Sequence, residues 1–338
     1  MIGACSGRPV SITGLGCYVP ERVLANEELS KLVDTNDEWI QTRTGIKERR
    51  IAAPEEATSD LCLPAARAAL ADAAVAGAEV DLIIVATITP DMLFPATATI
   101  LADHLGAVNA AAYDLSAGCT GFVYALTQGY GAIAAGLARR VLVIGADTLS
   151  RVVDWEDRST CILFGDGAGA VVLEQVEQGG FHAFELGADG AGGMELFVPA
   201  GGSRRPVSAE TVAAREHYLK MNGREVYKFA TRVLPSSAKA VLEASGKSIW
   251  DIDLYVPHQA NLRIIEHAAR KLGIEEERVF VNVDRYGNTS SASIPLALCE
   301  ARSEGRLTNG KLVLMTGMGA GLTWGSSVIT WTGGSKDE

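Results

Sequence analysis

The chain of 338 residues has no apolar run near the roughly 18 residues that a membrane-spanning helix needs. Its first residues, MIGACSGRPVSITGLG, lack a basic stretch followed by a long apolar one, so no secretory signal is expected and a cytoplasmic protein is. Positive charge is also scarce. Thirty Lys and Arg stand against 41 Asp and Glu, a formal net charge of −11, which argues against a nucleic-acid partner because that needs a basic face. The six cysteines, Cys5, Cys17, Cys62, Cys119, Cys161 and Cys299, form no CxxC and no Cys/His set at metal-ligand spacing. Zinc and a disulfide framework are therefore not expected, and most of these thiols read as small core residues.

What is present is an alternation of β-branched runs and Ala-rich stretches, the pattern of an α/β layered protein. DLIIVAT from Asp81, RRVLVIGAD from Arg139, GAVVLEQV, DLYVPH and KLVLMTGM read as buried strands. TSDLCLPAARAALADAAV reads as a helix capped by Thr58 or Ser59. Two of the strand motifs recur. DLIIV at 81 returns as DLYVP at 253, and RVLVIGA at 140 returns as KLVLMTG at 311, offsets of 172 and 171 residues. Two strand pairs at nearly one offset imply duplicated halves. FGDGAGAVVLE and GMGAGLTWGSSVIT add a second echo, each expected to place a Gly-rich turn before a strand.

The duplication gives meaning to YDLSAGCTGFVYAL, where Cys119 opens an apolar helix. Its counterpart 171 residues later falls inside YGNTSSASIPLAL, so two helix N-termini should face each other across a pseudo-dyad, bringing Cys119 and Asn288 together. A thiol at a helix N-terminus should have a lowered pKa and act as a nucleophile. Taken alone, such a cysteine is more often a packing residue. His258, in YVPHQANLRII, ends a buried strand, where open α/β sheets collect ligands, and Gln259 and Asn261 beside it are more polar than a core demands. Asn288 is a neutral donor, or else only a helix cap. Together, Cys, His and Asn supply a nucleophile and two donors for an anionic oxygen. FGDGAGA is not a dinucleotide fingerprint, because a strand rather than a helix follows it; its glycines are expected in a tight turn near the site.

With AGCTGF, VPHQANLR, RYGNTSSAS and GAGLTWGS in this order, and a match running from GLGCYVPERVLANEEL to TWGSSVIT, the chain resembles the β-ketoacyl-acyl carrier protein synthase III family. These are the initiating condensing enzymes of type II fatty acid synthesis. The resemblance implies an α/β thiolase fold, two duplicated halves in a five-layered αβαβα arrangement, usually as a homodimer. The first half, 1–179, would carry the nucleophile. The second, 180–338, would carry His and Asn, with a substrate-entrance insertion at about 190–225. Cys119 would be acylated by a short acyl-CoA, and His258 and Asn288 would stabilise the enolate formed when malonyl-acyl carrier protein decarboxylates. Backbone N–H groups of Cys119 and Ala320 would form the oxyanion hole. No metal or redox cofactor is implied; acyl-CoA is a substrate.

The resemblance further implies that Trp39, Arg43, Arg158 and Asn261 contact CoA, the Trp by stacking and Arg43 by cation–π and charge. Arg263, Arg270 and Lys271, on one helical face, would dock the acidic carrier protein, although an ordinary solvated face has the same pattern. Phe164, Leu219 and Met318 would line the acyl pocket, with Phe94 reaching in from a partner subunit. Position 318 is often aromatic in the family, so Met318 predicts a roomier pocket. The family's run of three glycines is Gly319-Ala320-Gly321 here, and Ala320 would be strained if the loop required positive φ. A biosynthetic thiolase is disfavoured because TGMGAGLTW lacks its second cysteine, and plant-type polyketide synthases are usually longer. The alternatives are a related priming or acyltransfer enzyme of polyketide or other secondary metabolism, and a catalytically silent binding homologue.

Overall fold

The computed structural model describes residues 1–333. Two five-stranded mixed sheets dominate it. The first runs Val10–Tyr18, Asp166–Gln175, Arg140–Thr148, Leu82–Ala86, Ala111–Leu115. The second runs Ile2–Ala4, Gly180–Ala188, Thr323–Thr330, Leu312–Gly319, Leu254–Pro257. The strands predicted from the repeated motifs occupy matching places: Leu82–Ala86 pairs parallel with Arg140–Thr148, and Leu254–Pro257 pairs parallel with Leu312–Gly319. Even the leading aspartate is reused. The Asp81 N–H donates to the Arg140 carbonyl at 3.0 Å and the Asp253 N–H to the Leu312 carbonyl at 2.9 Å, and each carboxylate accepts from backbone N–H groups of the same neighbouring strand. The chain's first strand, Ile2–Ala4, pairs with Gly180–Ala188 and so belongs to the second sheet.

Both sheets are covered on both faces, which is why their strands read as continuous apolar runs rather than alternating ones. Helices Gly121–Ala134 and Ser293–Ser303 lie between the sheets. Phe122, Leu126, Ile294 and Leu298 from these helices share one core with Ile84 and Val143 of the first sheet and Val256 and Val313 of the second. Truncating the fully buried Phe122 to Ala would cost about 3–5 kcal/mol through lost contacts and the cavity left behind. Outside the first sheet lie Thr58–Asp72 and Thr97–His104; outside the second lie Gly223–Ser245 and Leu262–Leu272. The result is the five-layered αβαβα stack of the thiolase fold.

Two local expectations are corrected. Helix Thr58–Asp72 is capped at Ala57, whose N–H donates to the Asp60 carboxylate at 2.9 Å. The Thr58 hydroxyl instead donates to the Thr89 carbonyl, and Ser59 donates its N–H and hydroxyl to Asp91. Tertiary partners have outcompeted the local cap. The glycines of FGDGAGA are not in a turn either. Gly167 and Gly169 lie inside the strand Asp166–Gln175, where a Cβ on Gly169 would fall 2.6 Å from Pro295. They let the central helix Ser293–Ser303 cross close to the sheet.

Candidate active site

Cys119 sits in the one-turn 3-10 segment Gly118–Thr120 that opens helix Gly121–Ala134. Its neighbour Gly118 has φ of 56°, and a Cβ there would lie 2.8 Å from both the N and the O of Ala320. From the other side, a Cβ on Gly319 would lie 2.4 Å from the Cys119 nitrogen. The two halves therefore touch backbone to backbone at the thiol, and glycine is demanded at 118 and 319. Ala320 is not among the residues with positive φ, so the expected strain is absent and alanine fits the middle of the loop. Backbone N–H groups of Cys119 and Ala320 both face the sulfur.

The turn Asn288–Ala292 approaches from the opposite half. Ser290, 171 residues after Cys119, has φ of 51°, and its buried hydroxyl, which has no hydrogen-bond partner, lies close enough to lower the Cys119 thiol pKa, so the two helix starts meet as the duplication predicted. The Asn288 Oδ1 accepts the Ser290 N–H at 2.8 Å. That bond closes a side-chain turn over two residues and fixes the amide orientation so that Nδ2 is left as a donor. The helix-cap reading is corrected, because Thr289 and Ala292 hold the N-cap positions of the two helical segments that follow, and the side chain of Asn288 closes only the local turn.

His258 follows the strand Leu254–Pro257, and its N–H donates to the Thr316 carbonyl at 2.7 Å. Its Nδ1 lies 2.6 Å from the Ser293 hydroxyl. That hydroxyl also accepts the Gln259 N–H at 3.4 Å, so its own proton is directed to Nδ1 and the ring proton is assigned to Nε2. Nε2 is buried and has no partner in the protein. Burial pushes the imidazole down to about 3, so it is neutral at physiological pH. The thiol departs from expectation. Burial pushes Cys119 up to about 11, and the Asp147 carboxylate raises it further, against the lowering effect of Ser290 and the two backbone N–H groups. Desolvation outweighs the helix N-terminus, so the resting pair is thiol and neutral imidazole.

Cys119, His258 and Asn288 open onto one cavity of about 460 Å³. Phe164 and Met318 are among its lining residues. Leu219 is not: it is buried in the apolar cluster that includes Phe164 and Met318, while Leu196 and Met221 from the hairpin Leu196–Phe197/Lys220–Met221 form the wall. Phe94 lies apart from this cavity on an exposed loop and is 83% accessible. At the mouth stand Trp39, Arg43, Asn261 and Arg263. Trp39 is half-buried, with the guanidinium groups of Arg43 and Arg158 at 5.5 and 5.1 Å from its ring centre. Asn261 caps helix Leu262–Leu272 through the Arg263 N–H and donates to the Arg43 carbonyl, tying that helix to Asp37–Thr44. Arg270 and Lys271 are exposed on the same helix, outside the cavity. Sequence reasoning missed Arg224 and Lys228, which bring further positive charge to the mouth from the start of Gly223–Ser245. Gln259 proves structural, its amide donating to the Pro257 and Phe280 carbonyls. Among the described residues no helix is long and apolar enough to cross a membrane, and no group of three or more His, Cys, Asp or Glu is arranged to hold a metal ion.

A duplicated αβαβα stack with a thiol, an imidazole and an amide meeting at its pseudo-dyad defines a condensing enzyme of the thiolase fold, an acyltransferase. Residues 113–190 match the family 3-oxoacyl-(acyl-carrier-protein) synthase III, and residues 242–331 match its C-terminal part. The β-ketoacyl-acyl-carrier-protein synthase III of Symbiobacterium thermophilum is 57% identical over 325 residues, 96% of this chain and 98% of that one. The crystal structure of the synthase III from Thermus thermophilus is 51% identical and superposes with a TM-score of 0.89, covering 96% of this chain and 99% of that one. A priming β-ketosynthase from the R1128 polyketide pathway is more distant, at 38% identity with a TM-score of 0.90 over 96% of this chain and 97% of its own. The chain belongs to the β-ketoacyl-acyl-carrier-protein synthase III family, whose members carry out the initiating condensation of fatty acid synthesis.

Proposed function

We propose that this chain joins a short acyl-CoA to malonyl-acyl carrier protein through an acyl-Cys119 intermediate, with His258 and Asn288 as the enolate donors. The observation that carries this reading is the unpartnered His258 Nε2, buried at a cavity it shares with Cys119 and the free amide of Asn288. In the first half-reaction the Cys119 sulfur bonds to the acyl carbon, the carbon–sulfur bond to CoA breaks, and the thiol proton ends on the departing CoA sulfur. The Cys119 and Ala320 N–H groups hold the tetrahedral oxygen.

In the second half-reaction the malonyl carbon–carbon bond breaks, CO2 leaves, and the electron pair moves onto the thioester oxygen. Nε2–H of His258 and Nδ2–H of Asn288 meet charge that exists only from that moment, so they favour the transition state over the bound substrate. The enolate carbon attacks the acyl carbonyl, the bond to Cys119 breaks, and the thiolate regains a proton from solvent. A neutral imidazole suits this role, since Ser293 occupies Nδ1 and leaves the ring's one proton on the unpartnered Nε2. No step calls on a cofactor.

The acyl-CoA would enter past Trp39, Arg43, Arg158 and Asn261, and the acidic carrier protein would dock on Arg263, Arg270 and Lys271. Phe164 and Met318 would hold the acyl group, with the exposed Phe94 completing the pocket of a second copy in a cytoplasmic homodimer. The test is intact mass after mixing with acyl-CoA, together with CO2 release from malonyl-carrier protein. Cys119→Ala is expected to abolish the acyl adduct, while His258→Ala and Asn288→Ala keep it and lose about 10²–10³-fold in decarboxylation. An Asn288→Ala variant that decarboxylates at the parental rate overturns its assigned role.

A further inference from the structure

Asp147 is the penultimate residue of the strand Arg140–Thr148, is fully buried, and lies in the half that carries Cys119. All its partners are neutral donors. Its Oδ1 accepts from the Thr87 hydroxyl at 3.0 Å, the Ile88 N–H at 2.8 Å and the Thr89 hydroxyl at 2.9 Å. Its Oδ2 reaches across to the other half, where it accepts the Ser291 N–H at 3.3 Å and lies 2.8 Å from the Ser291 hydroxyl, whose one proton it shares with the Ala86 carbonyl, also at 2.8 Å. A buried carboxylate is expensive to keep unless its lone pairs are filled, and here three donors on one side fix it so that the second oxygen can hold a turn 144 residues away. The chain has also cleared a path for that turn, because a Cβ on Gly145 would lie 2.2 Å from the Ser291 carbonyl oxygen.

The held turn is the one that matters for the chemistry. It begins with Asn288, passes through Ser290 in a left-handed conformation that a serine adopts only under constraint, and ends at Ser293 against His258. We propose that Asp147 is a positioning residue for the condensation: it anchors Ser291 from across the pseudo-dyad and thereby aims the donors of Asn288 and His258 at the enolate oxygen. This rests on the reading of Asn288 and His258 as those donors.

The acceptor-only character of Asp147 is testable, since Asp147→Asn keeps the shape but turns an amide NH2 toward groups that themselves donate. Ser291→Ala removes the hydroxyl link and leaves Asp147 intact, so it decides the matter if Asp147→Asn does not fold. Each variant is compared with the parent for adduct formation with whichever of acetyl-, butyryl- and isobutyryl-CoA the parent accepts best, and for CO2 release from malonyl-carrier protein. The expected result is a split: adduct formation within a few-fold of the parent, and decarboxylation down by about 10²-fold, the scale of an ångström's misplacement. Parental decarboxylation in the folded variants overturns the proposal, as does an equal loss of both half-reactions with a lowered Tm, which would mark a purely structural residue. Asn288→Ala measured alongside separates the two readings. If it too is unimpaired, the donor assignment itself has failed; if it alone is impaired, only the role of Asp147 has.

Discussion

Ser293 reaches His258 Nδ1 at 2.6 Å from the first residue of the central helix, and the ring's other nitrogen is left buried and unpaired. A histidine held neutral in this way makes the fold sensitive to acid. Burial lowers His258 from its ordinary 6.5 to about 3, so below pH 6.5 the unfolded chain binds a proton that the native one refuses. Stability present above pH 6.5 is therefore lost as pH falls toward 3, at roughly 1.4 kcal/mol per pH unit from this group. Urea unfolding of the parent and of His258→Asn at about pH 7.5 and about pH 5 checks it. The parent should lose about 2 kcal/mol more than the variant between the two. Equal losses would mean that the imidazole is not held neutral.

Cys119 should titrate in the opposite direction from a thiol activated by its helix. Its folded value of about 11 lies above the ordinary 9.0, so the thiolate appears late as pH rises. Iodoacetamide labelling of the Cys119 peptide, followed by mass spectrometry, is expected to accelerate through pH 9 and continue toward pH 11. An inflection below about pH 8 would show that the helix N-terminus prevails over burial.

These two values mark where sequence reading stops. The duplication was legible because strand motifs and their leading aspartates repeat, and Asp81 and Asp253 make equivalent bonds in the two sheets. Cys119, His258 and Asn288 were legible because each falls where an element starts or ends. The height of the thiol pKa was not, since it depends on enclosure by residues from both halves. Asp147 was invisible for a related reason: an aspartate near a strand end is unremarkable until Thr87, Thr89 and Ser291 fold around it. The pocket wall failed on a smaller scale. Leu219 and Met221 are two residues apart, and only the packing of the Lys220–Met221 strand decides which one faces the cavity.

The basic face of Leu262–Leu272 gives a prediction that separates the two substrates. Arg263 stands at the cavity mouth, whereas Arg270 is exposed farther along the helix and lines no part of the cavity. Arg270→Glu is therefore expected to raise KM for malonyl-carrier protein roughly tenfold, about 1.4 kcal/mol, and to leave KM for acyl-CoA unchanged. Arg263→Glu should raise both, and the carrier-protein value more. High salt should shrink the carrier-protein effect, because the charges are exposed and screened. Equal effects of Arg270→Glu on both substrates would remove the docking role.

Met318 should set how long a primer the enzyme accepts. It is buried, lines the cavity beside Phe164, and pairs across the sheet with Trp324 just before the Gly319-Ala320-Gly321 loop. An unbranched thioether with several rotatable bonds can move aside where a flat ring could not, so the pocket should admit acyl chains beyond acetyl, to about four or five carbons. Each added methylene in an apolar pocket changes transition-state binding by roughly 1–3 kcal/mol, so the preference should be graded rather than absolute. Comparing kcat/KM for acetyl-, butyryl- and isobutyryl-CoA in the parent and in Met318→Phe tests this. The Phe variant is expected to keep acetyl-CoA within a few-fold and to lose about tenfold or more on the two larger primers, because the ring fills the space that methionine vacates. A parent already confined to acetyl-CoA, or a variant with an unchanged profile, would place the determinant elsewhere on the wall.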